Sequence, residues 1–370
     1  MKKNTIVLVL LLTLLSCTEQ QKQYNKLDTL FTRIEEKRKG MGSVSIFKDG
    51  KEVYQFSYGY ADIKRNIKSN ANTKYRIGSI TKTFTATVIM KLVEDGILSL
   101  TDTLIDFYPQ ISNADKITIA NMLEHRSGIS DFTDVSDYCD WNTQFISKEQ
   151  LLERIVTGGS NFKPDDQFQY SNSNYVLLTF IVEDMSGKPI EQLFKDLIFE
   201  PLDLKRTSFG GIIYPDNNEA LSYVKLSQWN VTPETDLSIP LGAGAITSTP
   251  TDVNTFFTAL FAGKIVNEDS LEQMMNLKER FGYGISFSQI HDLHSYGHAG
   301  RIDGFHSITA YFPEKNLAVT ILSNGVDYPL NDIFLDVLSL YLNRKHILPE
   351  TGKRLLYWIV RTPMIMWMVR

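Results

Sequence analysis

Three short patterns carry side chains that can act together on a carbonyl group. Ser79-Ile80-Thr81-Lys82 sets a hydroxyl and an amine three positions apart. On a helix that spacing puts them one turn apart on the same face. Serine is a poor nucleophile near neutral pH until a base takes its proton. A lysine at the positive end of a helix dipole gives up its own proton more readily and can be that base. Tyr170-Ser171-Asn172 adds a phenol, which serves as a general base where neighbouring cations lower its pKa, and an amide able to fix a substrate carbonyl. In Tyr296-Gly297-His298-Ala299-Gly300-Arg301 the small residues around His298 let a backbone approach a ligand closely and leave an N–H free for an oxyanion. Together these are the parts of a serine nucleophile acting on an amide or ester.

Each pattern is short, and the chain contains its own controls. Ser45-Ile46-Phe47-Lys48 repeats the first spacing, but it reads as a strand running into the Asp49-Gly50 hairpin turn, where residues three apart face opposite ways. Tyr341-Leu342-Asn343 repeats the second inside a closing helix. His291, His294, His298 and His306 cluster in sequence, yet no metalloprotease helix motif is present and strand spacing would scatter them, so no metal and no cofactor is expected. A Gly-x-Ser-x-Gly nucleophile elbow is absent. A net charge of −5 without a long basic run gives no footing for nucleic acid.

The elements that position these residues follow from periodicity. Tyr75 to Gly78 reads as extended, leading into a helix that stops near Gly96, with Ile80, Phe84, Val88 and Leu92 as one apolar stripe. A helix is expected over Asn25–Lys39, then strands over Met41–Lys48 and Glu52–Tyr60 and a polar loop over 61–74. From 100 to 280 the pattern is mostly helical: Thr118–Glu124, Lys148–Val156, Asn174–Met185 and Pro250–Phe261. Strand texture returns with Phe305–Phe312 and Leu317–Leu322, and Ile333–Leu342 is a closing helix. β-rich ends around a helical middle imply one sheet assembled from both termini. The loops near Asp131–Asn142 and Leu226–Ile239 are expected to shape the pocket. With 370 residues and 43% hydrophobic content, a sizeable core is available.

The chain ends are of another kind. Lys2-Lys3, the apolar run Ile6–Leu15 and Leu14-Leu15-Ser16-Cys17 resemble a bacterial lipoprotein leader, which implies cleavage after residue 16, lipid on Cys17 and a tether over 17–24. Cys139 is then left alone, and no disulfide is expected. The tail over 346–370 holds two apolar stretches with Trp358 and Trp367, broken by Arg361-Thr362-Pro363. It is too interrupted to span a bilayer; it can lie in the interface or pack on the domain.

The three patterns, in this order, resemble those of the serine hydrolases that include class C β-lactamases, D-alanyl-D-alanine carboxypeptidases and related esterases. Met122-Leu123-Glu124-His125-Arg126-Ser127-Gly128, Gly242–Thr249, and Ala310–Pro313 with Leu322–Asn324 extend the resemblance over about 25–345. It implies a β-lactamase/transpeptidase-like α/β (α+β) fold: an antiparallel sheet from 25–99 and 281–345 flanked by helices, with a mostly helical part over 100–280. It implies an acyl-enzyme on Ser79 and proton work shared by Lys82 and Tyr170. Asn172 would position a small-molecule or peptide substrate, with His298 across the cleft and Gly300 beside it. The N–H groups of Ser79 and Arg301 would form the oxyanion hole. The departures are His298 where many β-lactamases carry a lysine, Arg126 in place of threonine, and Pro164-Asp165-Asp166 without the usual glycine. A neutral imidazole holds a drug's carboxylate poorly, which favours a peptidase or esterase over a β-lactamase, although Arg301 can supply a charge. The alternative is a catalytically inactive envelope binding protein on the same fold.

Overall fold

The computed structural model describes residues 20–344 except His291; the leader, Cys17 and the 346–370 tail lie outside the described residues. Six strands form the main sheet: β1 (Gly40–Lys48), β2 (Lys51–Tyr58), β3 (Ser286–Ile290), β4 (Leu293–Ile302), β5 (Phe305–Phe312) and β6 (Leu317–Val326). All pairings are antiparallel in the order β3-β4-β5-β6-β1-β2, so strands from the two ends of the chain meet where β6 pairs with β1. Asp49 and Gly50 both have positive φ (53° and 75°), the conformation a two-residue hairpin turn needs. Ser45 is fully buried and takes a hydrogen bond from Asn254, while Lys48 pairs with Asp49, so this second Ser-x-x-Lys pair is structural.

The helices include α1 (20–36), α2 (Thr81–Glu94), α3 (Ile119–Leu123), α4 (Lys148–Gly158), α5 (Asn172–Ser186), α6 (Pro250–Phe261) and α7 (Leu330–Tyr341). Residues 20–24, expected as tether, are helical, and the helix ends before Lys39. α1 and α7 cover one face of the sheet, where Leu27 and Phe31 pack with Val44, Ile321 and Val337. The helical region covers the other. Its short helix α3 is closed by a reciprocal cap between Thr118 and Asn121. No helix among the described residues is long and apolar enough to cross a membrane.

α2 lies at the centre, and here the amphipathic expectation fails. Its apolar stripe is buried, but so are Thr81, Thr83, Thr85 and Thr87. Their hydroxyls are used on neighbouring backbone: Thr83 donates to Gly284 O (2.6 Å), Thr85 to Gly242 O (2.7 Å), and Thr81 accepts from Ile246 N (3.2 Å). A helix enclosed on all sides satisfies its polar groups through other chain segments rather than water. Phe84 is fully buried and stacks on Phe256 with 3.7 Å between ring centroids. Phe84→Ala is expected to lower unfolding stability by about 3–5 kcal/mol. Urea unfolding with an unchanged slope checks this.

Candidate active site

Ser79 is placed by a small sheet separate from the main one. Tyr75–Arg76 pairs with Ile246–Ser248, which also pairs with Ser208–Phe209. The chain then turns through Gly78–Ile80 into α2, with Gly78 at φ +52°, a conformation that favours glycine. Where this turn meets β4 the backbones touch. A Cβ on Gly300 would lie 2.2 Å from Ile77 O and 2.9 Å from Ser79 N, and one on Gly78 would lie 2.9 Å from Arg301 N. The two amides expected to face an oxyanion therefore border one glycine-to-glycine contact. The Arg301 side chain itself is exposed.

Lys82 is fully buried, whereas Ser79 is only partly covered. The amine has three polar neighbours: Ser79 Oγ at 3.1 Å, Asn172 Oδ1 at 2.7 Å and Ala243 O at 2.8 Å. Burial drives its pKa down from 10.5 to about 7, against the pull of the Asp131 carboxylate. A neutral amine has two N–H bonds and one lone pair. The Asn172 and Ala243 oxygens can only accept, so they take both N–H bonds and leave the lone pair for the Ser79 hydroxyl. That is the geometry of a base on a nucleophile.

Asn172 stands elsewhere than expected. α5 begins at Asn172 rather than Asn174, and the amide turns to Lys82. Both of its N–H bonds are committed, to Asp131 Oδ2 (2.9 Å) and Thr133 Oγ1 (3.2 Å). It positions the lysine, and no N–H is left for a substrate carbonyl. The Tyr170 ring is partly exposed, but its hydroxyl is buried without a hydrogen-bond partner. Burial pushes that hydroxyl well above its usual pKa, and nearby Ser79 only partly offsets this. The cation-lowered tyrosine base is thus not what is found: Lys82 lies over the ring, 4.9 Å from its centroid, and the phenol keeps its proton.

His298 is buried, with Nδ1–H donating to Ala299 O (2.5 Å) and Nε2 left unpartnered. Burial, and then Lys82, take its pKa down to about 3, so the ring is neutral. Its centroid lies 6.3 Å from that of Tyr170 and 5.7 Å from that of Phe281. His125, also held neutral by burial, stacks on Tyr170 at 4.2 Å. Histidines 294 and 306 do not converge with His298 on a metal site: among the described residues no three His, Cys, Asp or Glu side chains come together in that way.

Sequence reasoning missed several participants. Ala243 contributes a backbone carbonyl, which leaves no mark on residue type. Asp131 was visible only as the start of a loop. The two pocket loops do meet, with Asp236 N donating to Asn142 O (2.8 Å), and Arg76 ties them to the β4–β5 turn through Thr235 O (2.8 Å) and Asp303 (3.1 Å). The two unexplained departures explain each other: Arg126 pairs with Asp165 (2.6 Å), and Asp165 itself sits at φ +66°, where glycine would be favoured.

Comparison with known proteins agrees with this architecture. The family model described as Beta-lactamase matches residues 27–338. The penicillin-binding protein PbpX of Bacillus subtilis is 30% identical over 284 residues, covering 76% of this chain and 70% of that protein. Protein flp of Staphylococcus aureus is 28% identical over 315 residues; the match covers 81% of this chain and 62% of flp. The D-amino acid amidase of Ochrobactrum anthropi, solved with D-phenylalanine, superposes with a TM-score of 0.78 at 25% identity, over 87% of this chain and 99% of the amidase. With the match over most of its length and the serine–lysine pair at its centre, the chain belongs to the beta-lactamase family of serine hydrolases.

Proposed function

We propose that Ser79 attacks the carbonyl carbon of an amide or ester and carries the acyl group until water releases it. The observation that carries this reading is the Lys82 amine, buried beside Ser79 Oγ at 3.1 Å with its other two partners able only to accept. As the Oγ–C bond forms, the serine proton moves to Lys82 Nζ, and the carbonyl oxygen becomes an oxyanion held by the N–H groups of Ser79 and Arg301. Collapse breaks the C–N or C–O bond. The leaving atom takes the proton from Lys82, steadied by the O–H of Tyr170. In the second half Lys82 takes a proton from water, hydroxide adds to the acyl carbon, and Ser79 leaves with that proton.

The substrate follows from what the site lacks. His298 is neutral and offers only an acceptor at Nε2, so it cannot balance a carboxylate. This favours a D-amino-acid peptide, amide or ester over a β-lactam, and the structural likeness to a D-amino acid amidase supports that choice. Cys17 is the proposed point of lipid attachment. Several acyl chains at ~0.8 kcal/mol per buried methylene make a stable anchor to an envelope membrane, with the domain outside the cytoplasm. The 346–370 tail is a second candidate contact with that membrane.

A fluorophosphonate probe and a fluorescent penicillin, compared by mass spectrometry on the chain starting after Cys17, test the nucleophile. The expected adduct is on Ser79, absent from Ser79→Ala and formed faster by the fluorophosphonate. No adduct on folded protein would move the reading to a binding protein. The rate constant kcat/KM should rise with pH through a midpoint near 7, because the ammonium form of Lys82 is inactive and the amine active. Gly300→Ala should lower kcat by about 10²-fold, since its Cβ would force Ser79 N and β4 apart.

A further inference from the structure

The direction in which Lys82 acts depends on how the Asn172 amide is turned. An asparagine can present either its oxygen or its NH2 to a neighbour. With the oxygen toward Lys82, one N–H of the amine is occupied and the lone pair goes to Ser79. With the NH2 toward Lys82, the lone pair would be spent on Asn172 instead. The carboxylate of Asp131 settles the matter. Its Oδ2 accepts from both Asn172 N and Asn172 Nδ2 at 2.9 Å, and its Oδ1 accepts from Thr133 N (3.0 Å) and Thr133 Oγ1 (2.9 Å). A carboxylate has no proton to give, so the Asn172 NH2 must face it. Thr133 Oγ1, having donated to Asp131, can only accept and takes the other Asn172 N–H at 3.2 Å.

The geometry points to Asp131 as a positioning residue that fixes the donor–acceptor polarity of the chain Asp131–Asn172–Lys82 and so aims the lysine's lone pair at Ser79. This rests on Ser79 and Lys82 being the nucleophile and base proposed above. Asp131 is nearly buried, holds the N-terminal end of α5 through Asn172 N, and touches no reacting atom. The other titratable groups around the amine are Tyr170 and Tyr175, on or beside α5, His125 on the loop after α3, and His298 on β4. Burial holds the histidines neutral and the tyrosines protonated. Asp131 is therefore the charge acting on the Lys82 proton, and it favours the ammonium.

The test is the rate of Ser79 labelling by a fluorophosphonate across the pH range, on the full-length chain in detergent. Asp131→Asn is nearly isosteric but can offer an NH2 to Asn172 and let it flip. Labelling on the pH plateau should fall by about 10²-fold. The acid limb should move down by about one pH unit as the charge is lost. The exchanged variant Asp131→Asn/Asn172→Asp puts an acceptor-only group back on Lys82 and a donor behind it. It should recover part of the plateau rate, with its acid limb moved up because the carboxylate now touches the amine. A merely structural role would leave both limbs in place. Should the single variant not fold, the exchanged pair, which restores the side-chain hydrogen bond between the two positions though not the one from the backbone N–H of residue 172, still reports the upward limb. Wild-type rate and limb in folded Asp131→Asn would overturn the inference, as would an exchanged pair with an unmoved limb. Wild-type protein that does not label at Ser79 would overturn the parent reading and this one with it.

Discussion

A buried amine can direct its lone pair at one atom only, and the rest of this site follows from that restriction. Moving Lys82 from 10.5 to about 7 corresponds to roughly 5 kcal/mol against the ammonium form. Burial does this, and burial is also why each hydrogen on the nitrogen must find an acceptor. Asn172 and Ala243 meet that need from two distant later parts of the chain, one at the start of α5 and one in the turn before residues 246–248. The enclosure of α2 is part of the same device. Threonines along its flanks bond to Gly242 and Gly284, which lets backbone close over the lysine without leaving carbonyls unpaired.

Burial also decides the roles of the two aromatic partners. Tyr170 lies beside a lysine, which would lower a phenol's pKa if the lysine were charged and solvent were near. Here the lysine gives up its proton as the pH passes about 7, and the hydroxyl is dry, so desolvation prevails and the phenol remains a donor. His298 follows the same rule from the other side: the dry environment removes its charge and leaves a bare acceptor. A readily deprotonated amine, a phenol that keeps its proton and a neutral imidazole surround the serine. The contrast with Arg76 is instructive, because there the buried guanidinium makes four hydrogen bonds to protein, two of them to the carboxylates of Asp303 and Glu234, and the group holds loops rather than reacts.

Much of this was legible in the sequence wherever a local signal reports a local fact. Pro250–Phe261 and Phe305–Phe312 match the expected bounds because a proline after a threonine cap and a strand ended by proline mark their own limits. The order of the three patterns and the sheet built from both ends were legible too. What was hidden depends on the third dimension. The period of Ile80, Phe84, Val88 and Leu92 reports one face, and nothing local says the threonine face is covered as well. The side-chain type of Asn172 allows it to bind a substrate, and only the place of Asp131 and Thr133 turns it to the lysine.

Arg126 and Asp165 show how far such hidden pairing reaches. Either one alone departs from the family pattern without evident reason. An aspartate in the left-handed region is strained compared with glycine, and a largely buried arginine is a charge to be matched. Brought together they answer one another: Asp165 N donates to Arg126 O (2.8 Å), and the guanidinium returns to the carboxylate and is matched a second time by Glu279 (2.8 Å). The Arg126–Asp165 pair closes the segment between His125 and Tyr170. The segment it closes is the one that stacks His125 on the Tyr170 ring and, four residues beyond Ser127, delivers Asp131 to Asn172. Two residues that touch neither Ser79 nor Lys82 thus hold the frame that brings Asp131 to Asn172 and Asn172 to the lysine.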